Sequence, residues 1–153
     1  MNSKQLLDLV HNEPILKRFV KGVYASNTVP EVVTRYPSAF IINTEPLPLP
    51  GEHWVAVIIH SSSEADFLDS LGKPPKNYKE IENFIFKNSK YCNFRCKRLQ
   101  PSYSDLCGLY VLVFLISRLC LKLSLSSVYA LFSSSIQRND NFVRSFIQEF
   151  LYQ

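Results

Sequence analysis

The sequence predicts an α+β fold, in which a small, mainly antiparallel sheet packs against a central helix that carries a cysteine at its start, flanked by further helices. Three observations support this: helical patterns at both ends enclose a run of strand patterns, two apolar β-rich segments are joined by a short polar turn, and an apolar stretch of helical length follows. The 153 residues, 46% hydrophobic and 20% charged, suit one globular domain spanning residues 1–153.

The N-terminal part of the chain is predicted to be helical before it becomes extended. Ser3 is expected to cap a first short helix, and Asn12, two residues before Pro14, a second helix that ends at Gly22. Residues 39–43 then have the composition of a strand, and the proline-rich segment "TEPLPLPGE" that follows is predicted to be a loop.

A β-hairpin is predicted in the middle of the chain. Residues 53–60 are apolar and β-rich, "SSSE" has turn composition, and residues 65–71 alternate between polar and apolar side chains. A turn centred on residues 62–63 places position 58 opposite position 66. Apolar residues at helical spacing predict a helix over residues 77–89.

The remaining sequence is predicted to form one strand and three helices: residues 91–99, residues 106–121 with Ser104 or Asp105 as the cap, Leu125–Phe132, and a last amphipathic helix capped by Asn139 or Asp140. The longest apolar stretch, Leu106 to Leu123, is interrupted by Arg118 and Lys122. It is shorter than the roughly 20 clean residues that span a bilayer, so it is predicted to be a buried core helix, with no membrane partner.

Charge and cysteine content narrow the functional classes. The formal net charge of +4 fits either an ordinary solvated surface or some affinity for a polyanion such as nucleic acid, but no run of five Lys or Arg residues supports the latter. The four cysteines form no C-x-x-C pair, which disfavours a zinc site. The N-terminal residues do not resemble a signal peptide, so free thiols in a reducing intracellular compartment are expected.

Cys107 is the first candidate catalytic residue. It lies at the predicted start of an apolar helix, where the helix dipole and unpaired N–H groups favour a thiolate and lower the cysteine pKa. Gly108 would leave room for a substrate backbone to approach. A cysteine at this position also fits simple packing, so the assignment depends on suitable partners.

His53, Asp69 and Gln100 are the candidate partners of that thiol. His53 opens a strand, where an imidazole serves as base or ion-pair partner for a cysteine. The hairpin register returns Asp69 to the His53 end, whereas Asp66 lies about 10 to 15 Å along the strand at ~3.3 Å per residue and is expected to face solvent. The Gln100 amide and the Cys107 N–H would form an oxyanion hole, although Gln100 alone is an ordinary loop glutamine.

The motifs "FIINT", "PGEHWVAVII", "FLDSLG" and "LQPSYSDLCGLYVLVFL" occur in this order over residues 40–115. Together they resemble the adenovirus-type maturation proteases, the adenains, within the wider group that includes the SUMO- and ubiquitin-like-specific cysteine proteases. The chain is shorter than the adenoviral enzymes, and the segment between Cys96 and Gln100 is compressed. The resemblance implies a Cys107 nucleophile, a His53 base, an Asp69 orienting acid and a Gln100 oxyanion donor.

The resemblance also implies substrates, partners and location. Trp54 would shield the catalytic pair in a narrow cleft that favours glycine before the scissile bond of viral or virus-like precursors, with cleavage in the host nucleus or virion by a monomer. Adenains are activated by a viral peptide, disulfide-linked to the enzyme, and by non-specific DNA. Cys92 or Cys96 lies in the comparable region, though either could be a free structural thiol.

Two other functions remain open at this stage. A protease acting on ubiquitin- or SUMO-like modifiers that end in Gly-Gly would use the same residues. A catalytically silent module could retain the cleft to bind a glycine-containing tail, although all four chemical positions hold competent residues.

Overall fold

The computed structural model describes residues 1–152 and has the α+β architecture that the sequence predicts. The helices are α1 (Ser3–His11), α2 (Pro14–Phe19), α3 (Lys79–Asn88), α4 (Cys107–Leu115), α5 (Leu125–Ala130) and α6 (Asn139–Leu151). The strands are β1 (Val20–Tyr24), β2 (Ser38–Asn43), β3 (Trp54–Ile59), β4 (Glu64–Leu68) and β5 (Tyr91–Asn93). Short 3₁₀ turns cover Pro75–Asn77 and Ile136–Arg138.

The five strands form one sheet in the order β1-β2-β3-β4-β5. The central pairs β2–β3 and β3–β4 are antiparallel, but the outer pairs β1–β2 and β4–β5 are parallel. The sheet is therefore mixed, and the expectation of a mainly antiparallel sheet holds only for its three central strands. The connection from β4 to β5 runs through α3, as a parallel pair requires.

The register of the central hairpin agrees with the prediction. Ile58 lies opposite Asp66, and Ala56 lies opposite Leu68. The chain reverses through residues 61–64, where His60 N–H donates to the Glu64 carbonyl at 2.9 Å. This register brings the end of β4 back to the start of β3.

Strand β1 was missed in the sequence, because residues 14–22 were predicted to be one helix. The helix α2 ends at Phe19, and the chain continues directly into β1, so Gly22 lies in a strand rather than at a helix end. Val20 pairs with Ala39 at the edge of the sheet. Tertiary pairing with β2 thus overrides the helical pattern of a short apolar segment.

The caps and ends of several other helices differ from expectation. The cap of α1 is Asn2, in a capping box with Gln5, rather than Ser3. Glu13, rather than Asn12, caps α2 through a bond from Leu16 N–H to its Oε2. No side chain caps α4 or α6, and the strand predicted over residues 91–99 ends at Asn93.

The helix α4 packs against β3 and forms the centre of the larger hydrophobic core. Its residues from Tyr110 to Leu115 are buried on every side, which explains why the sequence there is continuously apolar. After Leu115 the helix widens into a π turn over Ile116–Cys120 and does not continue regularly to residue 121. A second apolar cluster on the opposite sheet face packs α3 against Phe40 and Phe67. Within residues 1–152, no helix is long and apolar enough to cross a membrane.

Candidate active site

His53 is held at the start of β3 by the loop that precedes it. Asn43, the last residue of β2, accepts hydrogen bonds through its Oδ1 from Glu45 N–H at 3.0 Å and from Glu52 N–H at 3.3 Å. The His53 carbonyl accepts a bond from Thr44 N–H at 2.9 Å. These contacts close the proline-rich loop at its base, so the imidazole is presented from a fixed strand end.

The imidazole of His53 pairs with the Asp69 carboxylate across the hairpin. His53 Nε2 lies 2.7 Å from Asp69 Oδ1, and both side chains are buried. Burial alone would lower the pKa of His53, but its hydrogen bonds to Asp69 and to Cys107 outweigh this and raise the pKa to about 9. Since Nε2 faces Asp69, Nδ1 is the ring nitrogen left for the thiol.

Asp69 receives two further hydrogen bonds that the sequence did not predict. Leu71 N–H donates to Oδ1 at 2.8 Å, and the Tyr78 hydroxyl donates to Oδ2. Burial raises the pKa of Asp69, but the hydrogen bonds from His53, Tyr78 and Leu71 outweigh this effect and lower the pKa below its usual value. The carboxylate therefore stays charged. Tyr78 lies directly before α3, within the segment 77–89 that was predicted to be helical from its apolar spacing, and nothing in that spacing indicates its hydroxyl contact.

Cys107 is the first residue of α4, one residue after the predicted start of that helix, and the interaction between its thiol and the His53 ring shifts the pKa of both groups. Burial raises the pKa of this thiol, but the hydrogen bond from His53, backbone bonds from Trp54 and Gly108, and the charge of His53 lower it below the ordinary value. A lowered thiol pKa next to a raised imidazole pKa favours a thiolate–imidazolium pair near neutral pH.

Several of the side chains described above line one cleft, which has a volume of about 990 Å³. His53, Trp54, Gln100 and Cys107 all contribute to its wall. This volume lies at the upper end of the range of roughly 300–1,000 Å³ that is usual for ligand pockets. Three of the four predicted chemical residues, His53, Gln100 and Cys107, therefore line a single accessible space, and the fourth, Asp69, lies behind the His53 imidazole.

Trp54 and Gly108, both predicted for the substrate cleft, lie in different places. Trp54 lines the cleft, and its Nε1–H donates to the Met1 carbonyl at 3.0 Å. Gly108 instead faces α1, since a Cβ built there would lie 3.1 Å from Leu6 Cδ2 and 3.4 Å from Met1 Sδ. The placement of Gly108 in the cleft is thus corrected: its missing side chain makes room for α1.

Gln100 lies in the wall of the cleft with 2% of its surface exposed. Its Oε1 accepts a bond from the Ser70 hydroxyl at 2.6 Å, and its Nε2 donates to the Ser104 carbonyl at 2.9 Å. Sequence reasoning considered Ser104 only as a helix cap and predicted neither contact with Gln100, although the position of Ser70 directly after Asp69 is a usable signal.

Asp66 is buried and does not face solvent, contrary to the sequence-based expectation. Its side chain has no exposed surface, and its Oδ2 lies 2.7 Å from Arg118 Nε and 2.8 Å from His60 Nε2. Arg118 comes from the π turn after α4, a partner that strand periodicity cannot reveal. The rejection of Asp66 as the partner of His53 is consistent with this separate cluster.

The other cysteines are free thiols in different environments. Cys96 is exposed, whereas Cys92 is half-buried, and burial together with the Asp66 carboxylate raises the pKa of Cys92 to about 12. Burial and Glu13 likewise raise the pKa of Cys120 to about 12. In the part of the chain that the structure describes, no three His, Cys, Asp or Glu side chains gather into a possible metal site.

Neither the protein-family models nor the curated proteins with which the sequence was compared supply a relative of this chain.

Proposed function

We propose that this chain is a cysteine endopeptidase of the adenain type, which cleaves viral or virus-like precursor proteins, most readily after glycine. The observation that carries the proposal is the 2.7 Å pairing of Asp69 with His53, whose imidazole lines the same cleft as the Cys107 thiol and the Gln100 amide. A thiol that only packed in the core would need neither an imidazole partner nor a carboxylate behind it.

The acylation step uses the charged pair. The Cys107 thiolate attacks the peptide carbonyl, a C–S bond forms, and the carbonyl electron pair moves onto oxygen. Gln100 Nε2 and the Cys107 backbone N–H stabilise that oxyanion. As the oxyanion collapses, the C–N bond breaks and the His53 imidazolium transfers its proton to the leaving amine.

The deacylation step reverses the role of the imidazole. Neutral His53 takes a proton from water, and the resulting hydroxide attacks the thioester. The C–S bond then breaks, which releases the product as a carboxylic acid that loses its proton to solvent, and returns the thiolate–imidazolium pair. Asp69 remains ionised throughout, because its pKa is lowered by His53 and its other hydrogen-bond donors.

The preference for glycine is what the resemblance implies, and the position of Trp54 in the cleft supports it. Trp54 lies beside His53, and its indole is tied to the backbone of Met1, so that the N-terminal residues and the indole bound one side of the space. A substrate residue without a side chain passes such an edge most easily.

The partners implied by the resemblance also belong to this proposal. Of the two thiols that could join an activating peptide, Cys96 is exposed, while Cys92 has a pKa of about 12 and exchanges disulfides slowly. Cys96 is therefore the thiol assigned to such a link. A net charge of +4 is compatible with non-specific DNA as a second activator.

Intact-mass labelling with a glycine-ended peptide electrophile tests the proposal, with and without short duplex DNA. The wild type should gain one adduct, located on Cys107 by peptide mapping. Cys107→Ala and His53→Ala should each abolish this adduct, and Cys107→Ala should abolish cleavage of a glycine-containing peptide.

Two variants control for unrelated effects. Cys96→Ser removes the exposed competing thiol, and His11→Ala removes an exposed histidine outside the cleft. Both should keep the adduct. Full cleavage by Cys107→Ala would refute the proposal, and exclusive reaction with Gly-Gly-ended ubiquitin or SUMO probes would favour the modifier-protease alternative.

A further inference from the structure

The side-chain amide of Gln100 has a fixed orientation. Its Nε2 lies 2.9 Å from the Ser104 carbonyl, and its Oε1 lies 2.6 Å from the Ser70 hydroxyl. A backbone carbonyl only accepts hydrogen bonds, so the NH₂ group must face Ser104 and the oxygen must face Ser70. An amide held at both ends keeps its donor on one side of the cleft wall.

Ser104 is itself held by the last helix. Its Oγ donates to Asp140 Oδ1 at 2.8 Å, and the Tyr110 hydroxyl donates to the same carboxylate oxygen at 2.8 Å. Leu106 N–H, one residue before the nucleophile, lies 3.2 Å from Ser104 Oγ. The carboxylate of Asp140 thus fixes the short loop that connects Gln100 to Cys107.

Ser70 couples the same amide to the catalytic acid. It follows Asp69 in sequence, and its carbonyl accepts bonds from Leu99 N–H at 2.9 Å and from Gln100 N–H at 3.0 Å. Ser70 is 1% exposed. Both the backbone and the side chain of Gln100 are therefore held by hydrogen bonds to Ser70, the residue that follows Asp69.

We infer that Ser70, Ser104 and Asp140 are positioning residues that aim the Gln100 amide at the developing oxyanion, an inference that rests on the proposed protease function. One hydrogen of Nε2 is held by the Ser104 carbonyl. Nε2 also donates to Ser104 Oγ at 3.2 Å, the longer of its two bonds and the one that a substrate oxyanion would replace. Without these anchors the amide would rotate, and the donor would spend less time in place.

A comparison of two reactions tests the inference. Hydrolysis of a fluorogenic peptide amide, with glycine before the scissile bond, passes through an oxyanion. Alkylation by iodoacetamide displaces iodide at carbon and needs only the thiolate. Ser70→Ala should lower kcat at least tenfold with KM changed less than twofold, while the alkylation rate of Cys107 stays within twofold of wild type. A merely structural role would impair both reactions together.

A reference variant and a rescue complete the design. Gln100→Ala should show the same split with a larger fall in kcat, about 10²-fold for loss of one oxyanion donor. Adding Ser70→Ala to Gln100→Ala should cost less than a further twofold, because Ser70 acts through Gln100. Asp140→Ala should lower kcat, and Asp140→Asn, which keeps an acceptor oxygen, should restore most of it.

The outcomes separate this inference from the proposed function. An unchanged kcat in Ser70→Ala, fully multiplicative losses in the double variant, or an equal fall in alkylation would overturn the positioning role while leaving a Cys107-dependent protease intact. Hydrolysis that persists in Cys107→Ala would overturn the proposed function, and this inference with it.

Discussion

The Tyr78 hydroxyl donates a hydrogen bond to Oδ2 of Asp69, while Oδ1 of the same carboxylate lies 2.7 Å from His53 Nε2. Both oxygens of the carboxylate are therefore used, one by the imidazole and one by a phenol from the segment that leads into α3. The bond also raises the pKa of Tyr78, after the larger effect of its burial, so the phenol remains a donor.

Replacement of Tyr78 by Phe should slow the proposed peptide cleavage while leaving Asp69, His53 and Cys107 in place. The loss of one charge-assisted hydrogen bond, about 1.5 kcal/mol or more, corresponds to roughly a tenfold fall in kcat/KM if it acts in the transition state. The pKa of Asp69 should also rise, which moves the acid limb of the kcat/KM profile to higher pH. Tyr91→Phe, at a tyrosine that is 70% exposed, is the matched control.

One result for Tyr78→Phe would contradict this prediction. If kcat/KM and the acid limb match those of Tyr91→Phe, the hydroxyl is not needed to hold Asp69. Circular dichroism and the melting temperature of both variants should be recorded beforehand, because a loss of fold would lower activity at every pH instead of shifting one limb.

The pH dependence of Cys107 alkylation should reveal the ion pair. Hydrogen bonds from His53 and nearby N–H groups lower the thiol pKa against the effect of burial, so fast alkylation should persist well below the pKa of a free thiol. His53→Ala should move the rise in rate towards pH 8.5, the value of an unperturbed cysteine. The rates should be measured in a Cys96→Ser background by intact mass.

Peptide cleavage should follow a bell-shaped profile with a falling limb near pH 9. The falling limb on the alkaline side of this profile reports the loss of the proton from the His53 imidazolium, whose pKa is raised to about 9. The two limbs belong to the coupled groups Asp69, His53 and Cys107 as a whole, not to any one of them alone. A falling limb near pH 6.5, the ordinary histidine value, would contradict the pairing with Asp69 and Cys107.

The order and register of the hairpin made the His53–Asp69 pair predictable, because a two-residue periodicity fixes which residues share an end. The start of α4 at Cys107 followed from the apolar run and the polar segment before it. The contacts of Tyr78, Ser70 and Asp140 could not be found in this way, since single hydroxyl or carboxylate groups make them between different elements, 9 residues apart for Tyr78 and 30 to 36 residues apart for Ser70 and Asp140. Local periodicity carries no information about such pairs.

The position of Asp66 shows the same limit of local periodicity, here through a prediction that was wrong. A carboxylate in an alternating strand is normally assigned to the solvent face. Here its partner Arg118 is 52 residues away, in a π turn whose wider winding was not visible in the apolar pattern. The parallel edge strand β1 was missed for a related reason: its short sequence fits a helix, and only pairing with β2 makes it a strand.

Arg118→Met should strongly destabilise the fold, although Arg118 lies outside the cleft. Removal of one partner leaves the Asp66 carboxylate buried with only His60 and Asn93 nearby, at a cost of about 3 kcal/mol in the free energy of unfolding. Lys87→Met breaks the exposed pair with Glu31 and should cost less than about 0.5 kcal/mol. Urea denaturation measures both changes.

The pH dependence of stability should identify the same carboxylate. Burial raises the pKa of Asp66, but His60 and Arg118 lower it more, so the folded value lies below the unfolded one. Asp66 therefore stabilises the fold above the unfolded pKa of about 3.9, and this contribution disappears as pH falls through the folded pKa. Asp66→Asn should flatten this acid dependence; an unchanged dependence would contradict the assignment.

Gly72 should tolerate neither alanine nor asparagine, for a reason that combines conformation and space. Its φ is +81°, a region that alanine disfavours by roughly 1–2 kcal/mol but asparagine accepts more readily. A Cβ at this position would also lie 2.7 Å from the backbone nitrogen of Arg98. Because the obstacle is backbone, both variants should lower the melting temperature, and both should reduce kcat by displacing the chain that leads to Gln100.

Gly22→Ala is the matched control for this prediction. A Cβ on Gly22 would lie 3.0 Å from the ring of Tyr24, a side chain that is able to turn away, and its φ is not positive. Its melting temperature should therefore fall less than that of either Gly72 variant. If Gly72→Asn were as stable as wild type, φ alone would explain the glycine, and the close approach to Arg98 would not constrain this turn. If both Gly72 variants kept full kcat, the turn would not help to place Gln100.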